Sequence, residues 1–200
     1  HVVEGIEKQG RLPHLRIFMH TLDDRRGVPA TVVARDPTHD LALLKAQGDA
    51  YPTLRIGDST RVREGQPIAL MGFPLGFLLG LHPSTNSGII SGVCPIAEPA
   101  VNTRQLDPET IEALRNPFSV FQLDATAYPG NSGGPIFDPR TGLVLGIVNR
   151  AFIQKTKEKV VASGISYAMP IHYAKPMLDG ALKQPSRDAP PTAPAPSNAP

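Results

Sequence analysis

Two hundred residues, 40 % of them hydrophobic, can bury one sizeable core or two small packed ones, and no internal repeat divides them. A formal charge of +2 with scattered Lys and Arg argues against a nucleic-acid surface, and the single cysteine, Cys94, excludes an internal disulfide and fits neither a zinc site nor a redox pair. No apolar run approaches the roughly 20 residues needed to span a bilayer, and the greasiest stretch, Phe73 to Leu81, is broken by Pro74, Gly76 and Gly80.

From Leu15, the order Leu-Arg-Ile-Phe-Met-His puts Leu15, Ile17 and Met19 on one face, as in a half-buried strand. The polar turn Asp23 to Gly27 leads to a second strand, Val28 to Arg35, rich in β-branched residues and stopped by Asp36-Pro-Thr-His39. Leu41 to Ala46 is a third, and Tyr51 to Glu64 reads as a connection. Pro67 to Gly72 and Asn86 to Val93 should pair across the long Gly/Pro-rich loop Phe73 to Ser84. Asp107-Pro-Glu carries a helix start: a cap, a proline suited to the first turn, and an acid that complements the dipole, predicting a short helix over 107–115. Ser119 to Leu123, Gly134 to Phe137, Leu143 to Asn149 and Gly164 to Met169 complete a series of short strands, which predicts an all-β barrel or sandwich. Pro170 to Lys183 has Ile171, Ala174, Met177, Leu178 and Ala181 near helical spacing, predicting a closing helix bent or restarted around Pro176. From Ala189 the Pro/Ala-rich end has nothing to bury and reads as an extended linker or tail.

Asp124 to Pro135 presents a serine, Ser132, inside a glycine-rich turn between two apolar runs. Such a turn lets a hydroxyl and nearby amides converge on one point, as an oxyanion hole requires, although Gly-x-Ser-Gly-Gly alone also suits an ordinary tight loop. A serine nucleophile needs a base, and the base needs a carboxylate to fix its tautomer. Asp40 stands 92 residues before Ser132, and His1 opens the chain 39 residues before Asp40. Alone, Asp40 reads as a turn cap before it reads as a catalytic carboxylate. His20 is the other histidine to consider as base, but it closes a predicted strand. His14, His39, His82 and His172 show no ligand spacing and read as surface or packing residues, so no metal and no cofactor are expected.

His1-Val-Val, Asp40-Leu-Ala-Leu-Leu and Gly130-Asn-Ser-Gly-Gly134 resemble, in order and spacing, the three catalytic motifs of disulfide-free, trypsin-like serine peptidases of the HtrA/Deg type. The similarity extends to Leu54-Arg-Ile-Gly-Asp-Ser, Met71-Gly-Phe-Pro-Leu-Gly76, Ser87-Gly-Ile-Ile-Ser91, Gln122-Leu-Asp-Ala125, Gly146-Ile-Val-Asn149 and Tyr167-Ala-Met-Pro-Ile171, and covers His1 to about Lys183. It implies a chymotrypsin-like pair of β-barrels with the active site between them, and cleavage of unfolded or damaged polypeptides outside the cytoplasm, in the periplasm or after secretion. It also implies Ser132 as nucleophile, His1 as general base and then acid, and Asp40 as orienting carboxylate. The amides of Gly130 and Ser132 would form the oxyanion hole. Thr126 falls at the base of the primary specificity pocket, with Ala127 and Tyr128 lining the approach, and a neutral residue there disfavours Arg or Lys substrates. Asn149, Arg150 and Ala151 match the segment that pairs with substrate as an added strand.

The expected organisation is a partial N-terminal barrel over 1–65, a second barrel over 66–170, a closing helix over 171–184 and a linker over 185–200. The family places three strands ahead of its histidine, and this sequence begins at that histidine, so the 200 residues by themselves are expected to be inactive. A family PDZ domain, where present, would lie beyond Pro200. Phe77, Leu78, Leu79 and Leu81 suggest a subunit or regulatory contact through the 76–84 loop, as against a loop packed on its own barrel. Homo-oligomers through that loop or through a segment before His1 follow as a partner expectation, beside the polypeptide substrate. The alternative function is a non-catalytic peptide-binding or chaperone-like module on the same fold.

Overall fold

The computed structural model describes residues 2–3, 15–18, 27–48, 51–74, 82–96, 118–155 and 160–183. Among the described residues, nine strands fall into two sheets. β1 (Leu15–Ile17), β2 (Val28–Asp36) and β3 (Leu41–Ala46) form an open antiparallel sheet in that order. β4 (Pro67–Gly72), β5 (Ser84–Ile96), β6 (Phe118–Asp124), β7 (Pro135–Phe137), β8 (Val144–Lys155) and β9 (Val160–Pro170) close into a six-stranded barrel in the order β4-β5-β6-β9-β8-β7. The double-barrel architecture of the chymotrypsin-like fold is therefore present with its first sheet open. The expected helix over 107–115, most of the 76–84 loop and the 185–200 tail lie outside the described residues.

Alternation builds the barrel. Ile68 and Leu70 of β4, Ile90 of β5, Phe121 and Leu123 of β6, Ile136 of β7 and Val148 of β8 point inward and are essentially solvent-free. Full burial of one such side chain is worth about 1.5–3 kcal/mol, so seven of them make this the stable half. Outside the barrel wall, Val120, Val144, Met169, Ile171 and Ala174 form a second cluster, which one residue of the open sheet, Leu41, enters. Leu41 is one joint between the halves.

Two segments strap the barrel. In the 51–66 connection, Ile56 bridges Val144, with Gly57 N–H donating to the Val144 carbonyl at 2.8 Å and Val144 N–H to the Arg55 carbonyl at 2.9 Å. At the other end the chain makes a 3-10 turn over Ile171–Ala174 and restarts as α1 (Lys175–Lys183), with Pro176 in its first turn, where a missing N–H costs nothing. Only Met177 and Leu178 of α1 pack on the second cluster, and Leu182 is exposed.

Candidate active site

The loop after β6 carries Ser132. Gly130 has φ +102, an angle closed to residues with a Cβ, and it reverses the chain. Asn131 N–H donates to the Tyr128 carbonyl at 3.0 Å, and Gly134 N–H to the Asn131 carbonyl at 2.9 Å. Gly133 N–H reaches the Val148 carbonyl at 2.7 Å, and Val148 N–H returns to Gly134 at 2.8 Å, so the loop is laced to β8. A Cβ at Gly134 would collide with the Met71 carbonyl, which fixes glycine where the loop crosses β4. Among the described residues the amides of Gly130 and Ser132 donate to no backbone carbonyl, whereas those of Asn131, Gly133 and Gly134 all do. Those two amides flank Asn131, and Ser132, which bears one of them, is half-buried.

Asn131 is 1 % exposed, yet among the described residues neither atom of its side-chain amide has a hydrogen-bond partner. A buried polar group left in that state costs about 1–3 kcal/mol. The side chain lies against Gly72 of β4, where a Cβ would overlap it. The loop thus rests on β4 through two glycines, Gly72 and Gly134.

Asp40 ends the turn between β2 and β3 in a left-handed conformation, φ +52, which no other described non-glycine residue shares. Aspartate tolerates that region better than most residues. The turn is closed by Asp40 N–H donating to the Pro37 carbonyl at 3.3 Å and by His39 N–H donating to Asp36 Oδ1 at 3.1 Å.

A cavity of about 460 Å³ lies where the open sheet meets the barrel. Its lining includes Val2, Val3 and Asp40 together with Gly133, Val148 and Asn149. It brings together the residues after His1, the predicted carboxylate, the neighbour of the predicted nucleophile and the first residue of the predicted substrate strand. Ser132 joins it only through Gly133, and neither Gly130 nor Thr126, Ala127 and Tyr128 is on its lining. His1 and His20 lie outside the described residues, as do the side chains of Arg150 and Ala151. A hollow of about 570 Å³ on the open sheet, lined by Leu15 and residues 30–35, holds none of the predicted site residues.

Residues 1–147 match the family model of the trypsin-like peptidase domain. The chain belongs to the trypsin-like peptidases. Its relatives are of the HtrA type. A protein of Halomonas elongata named as a probable periplasmic serine endoprotease, DegP-like, is 35 % identical over 90 % of this chain and 31 % of its own length. A mitochondrial serine protease HTRA2 of Drosophila willistoni is 32 % identical over 86 % of this chain and 34 % of its own. A solved structure of the HtrA-type protease AlgW with a decapeptide superposes with a TM-score of 0.58 at 28 % identity, covering 80 % of this chain and 43 % of that one. The chain spans about a third of the length of the curated relatives it matches.

Two features of this HtrA-type chain escaped the sequence reading. Asn86 Nδ2 donates to the Thr126 carbonyl at 2.6 Å, fixing the backbone at the predicted specificity residue from the neighbouring strand. His39 is the second: its ring stacks on Tyr173 at 4.2 Å between centroids and meets Phe118 edge-on at 4.9 Å. Neither partner is near in sequence, so no local spacing signals the contact.

Proposed function

We propose that this chain carries the catalytic centre of a serine endopeptidase that cleaves unfolded or damaged polypeptides outside the cytoplasm. Ser132 Oγ attacks the scissile carbonyl carbon while His1 takes its proton, and Asp40 holds the imidazole in the productive tautomer. The amides of Gly130 and Ser132 receive the oxyanion. Collapse of the tetrahedral intermediate passes the proton from His1 to the leaving amine, and water then hydrolyses the acyl ester by the same route. Thr126 sits at the base of the specificity pocket, with Ala127 and Tyr128 beside it. Asn149, Arg150 and Ala151 pair with the substrate backbone as an added strand.

The observation that carries this reading is the shared cavity, which gathers Val2, Val3, Asp40, Gly133 and Asn149 from three distant stretches of sequence. The names of the relatives support the reaction class, and that of the Halomonas protein supports a periplasmic setting, whereas the Drosophila protein is named mitochondrial. In the full-length protein, a fluorophosphonate should label Ser132, and Ser132→Ala should abolish both labelling and turnover of an unfolded protein. Labelling that survives the substitution overturns the assignment. Peptide binding without turnover in the unmodified protein would favour a chaperone-like module.

A further inference from the structure

We propose that His39 is a positioning residue that fixes Asp40 relative to the barrel bearing Ser132. The inference rests on the reading of Asp40 as the orienting carboxylate. Asp40 and Ser132 belong to different sheets, so their separation is set by how the β2–β3 turn docks on the barrel.

Both neighbours of Asp40 are anchored there. On one side Leu41, 8 % exposed, enters the cluster of Val120, Val144 and Met169. On the other, the His39 ring lies at 21° to Tyr173 and stands at 64° to Phe118. Tyr173 is itself tethered, its hydroxyl oxygen accepting from Ser119 N–H at 3.1 Å. Phe118 and Ser119 open β6, the strand that runs into the nucleophile loop.

The peg is also stiff. His39 Nδ1 lies 2.6 Å from Asp36 Oδ2, and because a carboxylate only accepts, Nδ1 carries the proton. The same carboxylate takes the His39 backbone N–H. One aspartate therefore locks ring and backbone together, and Asp40 follows in its left-handed conformation. Without the ring, Asp40 would keep the Leu41 anchor but gain a hinge one residue before it. A displacement of about 1 Å in such a group can cost about 100-fold in rate.

A purely structural His39 would lower the folded fraction and leave each active molecule normal. The test is therefore made in the full-length protein with active sites titrated by a saturating fluorophosphonate. His39→Ala should lower kcat per titrated site about 10- to 100-fold with KM changed less than about twofold. His39→Phe, which keeps the ring contact, should restore kcat to within about threefold. Tyr173→Leu, which removes the stack from the barrel side, should repeat the kcat loss and carries the test if His39→Ala does not fold. Unchanged kcat per site in these two variants, or a loss confined to KM, overturns the proposal. Asp40→Asn separates it from the parent reading. If that variant retains turnover, the role of Asp40 falls; if it is inactive while His39→Ala is normal, only the role of His39 falls.

Discussion

The barrel and the open sheet carry different halves of the proposed site and are stabilised in different ways. In the barrel every strand has two neighbours and the core residues Ile68, Leu70, Ile90 and Ile136 are fully buried. Among the described residues, β1 and β3 of the open sheet each pair only with β2, and of the apolar residues in its three strands only Ala30 and Leu41 are buried. The Ser132 loop therefore sits on a scaffold that holds itself together, while Asp40 takes its placement from contacts with that scaffold. Catalysis across such a joint depends on the joint.

The largest effect should come from the carboxylate itself. Asp40→Asn is expected to lower kcat by about 10⁴-fold, the scale found when an orienting carboxylate is lost. Because the side chain belongs to the docked turn, hydrogen exchange across β4 to β9 should be unchanged in the same variant. Turnover within tenfold of the parent would remove Asp40 from the mechanism.

Next comes stability, where the two halves should separate. Leu70→Ala empties a fully buried position of the barrel and should cost about 2–5 kcal/mol in urea unfolding. Val33, 48 % exposed on the open sheet, should tolerate alanine within about 0.5 kcal/mol. A cost at Val33 equal to that at Leu70 would mean that the contrast drawn between the two sheets is wrong.

A third effect concerns the support beneath the loop. Gly134→Ala drives a Cβ into the Met71 carbonyl, and backbone cannot swing away as a side chain can. The expected cost is about 1–3 kcal/mol, together with slower fluorophosphonate labelling, since the loop must lift off β4. Gly142→Ala is the control: its φ is +69 but nothing lies near its Cβ, so it should lose stability through backbone strain alone and label normally. Normal labelling in both variants would separate loop geometry from reactivity.

These contrasts track what the sequence made legible. Leu41 to Ala46 and Pro67 to Gly72 were readable to the residue, because Asp40 and Gly72 punctuate short, mainly apolar runs. β8 was expected to stop at Asn149 but continues to Lys155. Register shifts between Val148 and Arg150 and between Ala151 and Ile153 move the alternation out of phase, so a period-two pattern loses the strand while the ladder goes on. β5 likewise runs from Ser84 to Ile96 through Gly88, Gly92 and Pro95, with a shift near Ile90 that hides it. At the site, Asp40, Ser132 and Asn149 could be singled out because family motifs are local strings. His39 could not, since its importance lies in Tyr173 and Phe118, which only the docked sheets bring near.

The smallest expected effect reports on the joint through pH. His172 stands beside Tyr173, ring centroids 4.1 Å apart, with Nδ1 2.8 Å from the buried Ser59 Oγ and its backbone N–H donating to the same oxygen at 3.0 Å. Burial depresses its pKa, His39 lowers it further, and Asp58 opposes them. The unfolded chain thus takes up a proton at a higher pH than the folded one. The stability that neutral His172 allows is full above about pH 6.5, the ordinary histidine value, and declines as the pH falls through it toward the folded pKa. Protonated, Nδ1 and the backbone N–H would both donate to Ser59 Oγ, and the serine proton would lose its acceptor. The ring is half-buried, so solvent screens the charge and the effect is small. Urea midpoints of the parent and of His172→Gln, which keeps polar atoms near Ser59 but does not titrate, should be compared between pH 8 and pH 5. The parent should lose more stability on acidification than the variant, with hydrogen exchange in β2 and β3 quickening before that in the barrel. A parent that gains stability relative to the variant as the pH falls would show that the His172 pKa is raised and not lowered.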